Sequence, residues 1–312
     1  MVKNFKIFII CLSLITALTF LIEFSSNFFK TLPVMADTAT TTLEVGNSAP
    51  TVSGVNLNSG SNIGLIENFA TTVVATCTVS DNNGYGNISS IIARAYRSGA
   101  TSSEACTIDA NNCYQQTSCA TSSCAGADCV ATCQFDIWFI AEPTDAGSGW
   151  SGEHWAAWIK AIDASNASSS ATNSAQTIEM NTLTAFDVDD AIGYGSLSPG
   201  QTNDPLNKTV HATTTGNEAI DSNISGTDMC TDYPTCAAYS VAIAYQHYAT
   251  SGVAYASGTA ASSTPTLLEF TTGKPTATTS NQAQNILWGI SVPGTQAIGT
   301  YTGVNTFSVL SD

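Results

Sequence analysis

The chain has 312 residues, 43 % of them apolar and only 10 % charged, with 24 acids against 8 bases and a formal charge of −16. That apolar share excludes wholesale disorder and leaves room for two ordinary domains. The acidity excludes a surface built to bind nucleic acid or anionic lipid. Few Lys and Glu, with many Thr and Val, disfavour long helices and suit exposed strands.

Lys3 and Lys6 precede an apolar run, Ile7 to Ile22, and a polar stretch that ends Pro33-Val34-Met35-Ala36. Small residues at the −3 and −1 positions predict an export signal over residues 1–36, cleaved after Ala36. Left uncleaved, the same segment is an anchor, extended by Phe24, Phe28 and Phe29, and provides the chain's one expected membrane contact. Cleavage removes Lys3, Lys6, Lys30 and Glu23, leaving 23 acids against 5 bases, or −18.

Residues 37–47 form a Thr-rich leader with one alternating stretch, Thr42-Leu43-Glu44-Val45. A first β-domain is predicted over 48–180. Ser53–Leu57 opens it, and Ser59-Gly60-Ser61-Asn62 makes a turn. In Thr72–Val79, Val73, Ala75, Cys77 and Val79 share one face and threonines the other, the period of a half-buried strand. Asp81-Asn82-Asn83-Gly84 is a turn. Strands follow at Ile88–Tyr96, at Thr132–Ile140, where Cys133, Phe135, Ile137 and Phe139 share a face, and at Trp155–Ile162. Residues 167–180 read as a last strand and a linker.

Between Ile88–Tyr96 and Thr132–Ile140 lies a cysteine-rich insertion, 103–130, of Ser, Thr, Ala, Gly and Asn. Cys106, Cys113, Cys119, Cys124, Cys129 and Cys133 crowd this region without paired Cys-Xaa-Xaa-Cys hooks, so disulfides in an oxidising compartment are expected rather than zinc. Being so polar, the insertion is expected to add little to the fold and to present a loop.

A second β-domain is predicted over 181–312, with strands at Lys208–Thr213, Val241–Tyr248, Ile286–Val292 and Tyr301–Leu310. Cys230 and Cys236 enclose a short local loop suited to a bridge.

The strand order of the first domain resembles an immunoglobulin-like sandwich with a late tryptophan-bearing strand. The phrases Tyr194–Gly200 (YGSLSPG), Thr214–Asp221 (TTGNEAID), Leu287–Pro293 (LWGISVP) and Gly299–Phe307 (GTYTGVNTF) are similar to those of secreted Ig-like β-sandwich surface proteins of uncultured candidate-phylum bacteria. The resemblance implies an all-β chain of two tandem Ig-like sandwiches and a cell-surface role; it supplies no activity or site.

Candidate sites follow. By strand parity Cys77 and Cys133 both face inward, and they either bridge directly or remain buried thiols; Cys106–Cys113 is the best local pair in the insertion. Asp81, Asn83 and Asp163 lie in loops that an Ig-like topology can gather, and their hard oxygens suit calcium, the one cofactor the sequence suggests; Asx-turns account for the same residues. Trp150 and Trp155, with Tyr114, form either a sugar-stacking surface or core. No nucleophile–base pair, phosphate loop or dinucleotide fingerprint can be named, so a non-enzyme is expected. The expected function is that of an extracellular or cell-surface structural or adhesion protein. Its expected partner is an extracellular protein or glycan, or a second copy in a self-assembling filament or surface layer; a carbohydrate-binding module is a third reading.

Overall fold

The computed structural model describes residues 9–21, 37–100, 103–173, 175–279 and 281–312. The chain divides into two units, Met1–Gly46 and Asn47–Asp312. In the first, residues 9–21 are helical and 37–46 are without regular structure and exposed. Among the described residues no helix is long and apolar enough to cross a membrane. The expected cleavage site after Ala36 lies outside the described residues.

The unit Asn47–Asp312 is all-β. Its first lobe contains β1 (Thr51–Leu57), β2 (Ala70–Ser80), β3 (Ile88–Arg97), β4 (Cys113–Gln116), β5 (Ala120–Ala125), β6 (Asp128–Trp138), β7 (Trp155–Asp163) and β8 (Ser168–Thr172). They form two antiparallel sheets, β1-β2-β6-β5 and β4-β3-β7-β8. The alternation seen in the sequence sets the register. Val73, Ala75, Cys77 and Val79 of β2 meet Ala131, Cys133, Phe135 and Ile137 of β6 in a core shared with Ala93, Trp155, Ala157 and Ile159 of the other sheet. Thr72 and Thr78 of β2 face solvent.

The expected linker is part of this core. Ile178 and Met180 are fully buried, because Ile178 bridges to Trp155 and Met180 to Ile63 through isolated pairings.

The insertion corrects the expectation that it adds little to the fold. It enters both sheets: β4 pairs with β3, and β5 pairs with β6. Its first part buries Cys106 and Cys113 with Tyr96, Ala156 and Trp158 in a satellite cluster. The apolar content that the insertion lacks in its own sequence is supplied by the strands it covers.

The disulfides are Cys106–Cys113, Cys119–Cys133, Cys124–Cys129 and Cys230–Cys236. The direct Cys77–Cys133 bridge does not form. Both side chains face the core as parity requires, but β2 and β6 are neighbours in one sheet, with Ala75 opposite Cys133 and Cys77 opposite Ala131. Such a diagonal pair lies roughly 7–8 Å apart, beyond the usual disulfide span. Cys133 instead bonds Cys119, whose Cα is 4.5 Å away. Cys77 stays a buried thiol, and burial pushes its pKa up to about 11.

The second lobe contains β9 (Phe186–Val188), β10 (Lys208–Thr214), β11 (Ile220–Gly226), β12 (Met229–Cys230), β13 (Ser240–Val241), β14 (Gln246–Ala249), β15 (Thr259–Ala260), β16 (Thr266–Leu268), β17 (Ala283–Ile290) and β18 (Asn305–Ser311). A five-stranded sheet, β15-β14-β17-β10-β9, and a three-stranded sheet, β16-β11-β18, share a core around Trp288, Tyr248, Ile286 and Val210. The strand expected over Val241–Tyr248 is broken. Val241 belongs to the β12–β13 hairpin, Gln246–Ala249 to the five-stranded sheet, and one 3-10 turn at Ile243–Tyr245 makes the switch. Asp228 fixes that turn by accepting the Ile243 N–H at 2.8 Å.

Cys119 lies on the link from β4 in one sheet to β5 in the other, and its bond to Cys133 of β6, the neighbour of β5, closes a 14-residue separation. Replacing Cys119 and Cys133 together by Ala is expected to lower the unfolding free energy in urea by about 3 kcal/mol, the chain-entropy value for such a loop. The shorter Cys124–Cys129 loop should cost less when opened in the same way.

Candidate functional site

Two polar clusters stand out, one at the start of the first lobe and one between the lobes. At the start, Asp81 and Asp163 are fully buried at 0 % and 1 % exposure. Each caps its own turn. Asp81 Oδ1 accepts the Asn83 N–H at 2.8 Å, and Asp163 Oδ1 accepts those of Ser165 and Ala167, both at 2.8 Å. Their second oxygens turn toward a shared group of amides: Asn47 Nδ2 donates to Asp163 Oδ2 at 2.7 Å, and Asn87 Nδ2 reaches Asp81 Oδ2 at 3.2 Å and Asn47 Oδ1 at 3.3 Å. Asn83 Oδ1 accepts the Ser48 N–H at 2.7 Å.

The structure therefore gathers Asp81, Asn83 and Asp163 and adds Asn47 and Asn87, which the sequence reading missed. Asn87 ends the 3-10 turn before β3 and Asn47 ends the leader, so neither stands in a metal spacing. Among the described residues neither carboxylate forms an ion pair, and no group of three His, Cys, Asp or Glu side chains gathers as a metal site. The donors here are two carboxylates and three carboxamides, hard oxygens of the kind calcium takes. The Asn47 amide, then the Ala167 and Ser165 N–H groups, hold the Asp163 pKa below the usual carboxylate range, against the opposing effect of burial.

Between the lobes, Lys274 reaches into the first lobe. Its Nζ donates to Ile140 O at 2.9 Å and pairs with Glu142 Oε2 at 3.0 Å, both side chains being 16 % exposed. The same Glu142 oxygen accepts Trp150 Nε1–H at 3.1 Å. Arg97 stacks over the Trp150 ring, 3.8 Å from its centroid, and pairs with Glu153. Burial lowers the Lys274 pKa, while Glu142 acts to raise it. Nearby, Asn217 donates to Ala141 O at 3.0 Å and Asn181 O at 3.2 Å and accepts the Leu183 N–H at 2.6 Å. Gly216 permits this contact, because a Cβ there would lie 1.9 Å from Leu183 O.

The aromatic candidates do not form a common surface. Trp155 is fully buried, its Nε1–H donating to Glu142 O at 3.0 Å. Tyr114 packs against the core 6.1 Å from Trp155, its hydroxyl donating to Ala110 O and accepting the Trp138 N–H. Only Trp150 is exposed, at 40 %, and its face is taken by Arg97. A tryptophan on an inward strand position is drawn to the core by its area, which overrides the sugar-stacking reading for Trp155 and Tyr114.

Comparison of the chain with family models and with curated proteins finds no match.

Lys274→Ala would leave Glu142 desolvated and short of its cation. A loss of about 3 kcal/mol in urea-unfolding free energy is expected, and a smaller one for the double variant Lys274→Met/Glu142→Gln, which removes both charges. Asp163 carries a separate pH signature. Its folded pKa is depressed, so its contribution is present above the ordinary carboxylate pKa of about 4 and is lost as pH falls through the lower folded value. Asp163→Asn is expected to flatten the acid limb of a stability–pH curve below about pH 4, measured by denaturant titration.

Proposed function

We propose that this is a secreted or cell-surface, non-enzymatic structural or adhesion protein of two Ig-like lobes, which holds a binding element on a disulfide-braced β-scaffold. The supporting observation is the set of four disulfides within an all-β chain of strongly acidic composition, which fits an oxidising extracellular setting.

The presented element is the arm formed by β5 and the start of β6. Nearly all of Ala120–Asp128 is exposed, and Cys124–Cys129 closes its tip. A rigid, solvent-facing tip loses little entropy on binding an extracellular protein or glycan. Calcium is the cation that Asp81, Asn83 and Asp163, with Asn47 and Asn87, would hold, fastening the leader end of the lobe. A second reading, self-assembly through the leader, is favoured by Leu43 and Val45, which alternate in Thr42–Val45 and are 89 % and 76 % exposed.

The test is attachment of the exported protein to a glycan array and to cell-envelope preparations, in calcium and in chelator. Replacing residues 121–127 by an Asn-Gly turn, with Cys129→Ala, is expected to leave the β circular-dichroism signature intact and abolish attachment. Calcium is expected to raise the melting temperature of the parent and not of Asp81→Asn. Attachment that survives the tip replacement overturns the arm as binding element. Light-scattering assemblies that vanish on deletion of residues 37–46 would select the self-assembly reading.

A further inference from the structure

The edges of the four larger sheets are unequally protected. β1 and β5 carry register irregularities; β4 and β8 span four and five residues, β9 and β16 three, and β15 two. β18 differs from all of these. It runs Asn305–Ser311, pairs with β11 through seven consecutive positions, and has no strand on its other side among the described residues. Its sequence, NTFSVLS, has high β-propensity and contains no charge and no proline. It therefore lacks the usual devices that stop an edge from accepting another strand.

A cleft lies beside this edge. It has a volume of about 400 Å³ and is walled by Asn305 and Phe307 of β18 and by Ile192 and Tyr194 of the segment after β9. It continues past Tyr194, Met229 and Tyr301 into a second space of about 610 Å³ with mixed walls, Val241 and Ile290 among the apolar ones. At its floor Gln246 Oε1 accepts both Tyr194 O–H at 2.9 Å and Asn305 Nδ2–H at 3.0 Å. Asn305 Oδ1 is buried with no donor. Asp189 and Asp190 stand at the mouth. Asp189 pairs with His211 at 2.8 Å, and Asp187, Asp189 and Asp190 are exposed.

We propose that this seam is a binding site for an extended peptide segment of a partner protein, added as a strand to the free edge of β18. Its alternate side chains enter the cleft beside Phe307 and Ile192, and its basic end meets Asp189 and Asp190. Main-chain pairing supplies the fit to β18 and alternate side chains supply selectivity. Charge selects a foreign strand over the chain's own leader, since residues 37–46 contain Asp37 and Glu44 and no basic residue. A second copy of β18 is disfavoured on the same ground: Asn305–Ser311 contains no basic residue and Asp312 follows it. This site is separate from the Cys124–Cys129 arm, so either can fail alone.

The experiment uses the exported protein and two labelled peptides, acetyl-KKVTVTV-amide and acetyl-VTVTVKK-amide, followed by fluorescence anisotropy and amide hydrogen exchange. One of them is expected to bind and to slow exchange within Asn305–Ser311. Counterparts with EE for KK should bind about tenfold more weakly, and alternate N-methylation should abolish binding. Asp189→Asn and Asp190→Asn should each weaken it about two- to five-fold, the range of an exposed ion pair. The proposal is overturned by equal binding of acidic and basic peptides, by binding that survives N-methylation, by protection outside the seam, or by no binding of either basic peptide at about 1 mM, a free energy near 4 kcal/mol. Stronger binding of a peptide of residues 37–46 would also overturn it and would identify the leader as the occupant.

Discussion

The antiparallel ladder between β2 and β6 is the constraint on which the first lobe depends. It pairs Ala70–Ser80 with Asp128–Trp138 without a break, and it fixes which side chains enter the core. Val73, Ala75, Cys77 and Val79 point in because Thr72 and Thr78 point out. A one-residue slip would exchange the two sets. The ladder also provides the fixed points for the cross-links: Cys129 and Cys133 both stand on β6, so Cys124 and Cys119 are brought to a strand already held. With so few charged side chains, the lobe relies on main-chain pairing and covalent closure where other proteins use surface ion pairs, which contribute little even when abundant.

The lobes meet through polar groups rather than through a shared apolar core. Lys274 inserts among Ile140 O and Glu142, and Asn217 bridges Ala141, Asn181 and Leu183. Desolvating these groups costs free energy that their mutual hydrogen bonds only partly return, so the junction adds less to stability than its list of contacts suggests. Its effect is directional. A planar amide and an ammonium each satisfied by named carbonyls tolerate one relative placement, whereas an apolar patch would tolerate several. Thr215 O, which accepts the Asn68 N–H at 3.1 Å, extends the same logic to the loop before β2.

The strands were legible in the sequence where alternation was long. β2 and β6 follow from the parity of Val73 to Val79 and of Cys133 to Ile137, since a half-buried strand must display period two; β7, buried on both faces from Trp155 to Ile159, reads instead as an apolar run. The insertion was not legible, because β4 and β5 are edge strands with few apolar residues: β5 is largely exposed, and Cys106 and Cys113 gain their burial from Tyr96 of β3 and Ala156 and Trp158 of β7. Ile178 and Met180 were lost in a polar linker for the same reason: two isolated apolar residues show no period. At the candidate site, Asp81, Asn83 and Asp163 were readable as turn oxygens. Asn47 and Asn87 were not, since a lone Asn beside a strand reads as a turn. Lys274 gave no signal at all, because a single Lys in a Thr-rich loop looks solvated. The phrase Thr214–Asp221, which carried part of the resemblance, contains the Gly216-Asn217 pair that docks the lobes.

Exposure of the β18 edge has a thermodynamic cause in the same composition that builds the rest. A chain that protects its edges with Lys needs Lys to spend, and residues 37–312 contain only 5 basic residues. Bulges and very short strands do that work at β1, β5, β9, β15 and β16. At β18 neither device is present, although Asn305, Phe307 and Val309 are held in regular register by β11. A bulge there would break the contacts that Phe307 and Val309 make with the Trp288 core. Regularity demanded by the core thus leaves the outer rim of the strand without a neighbouring strand among the described residues.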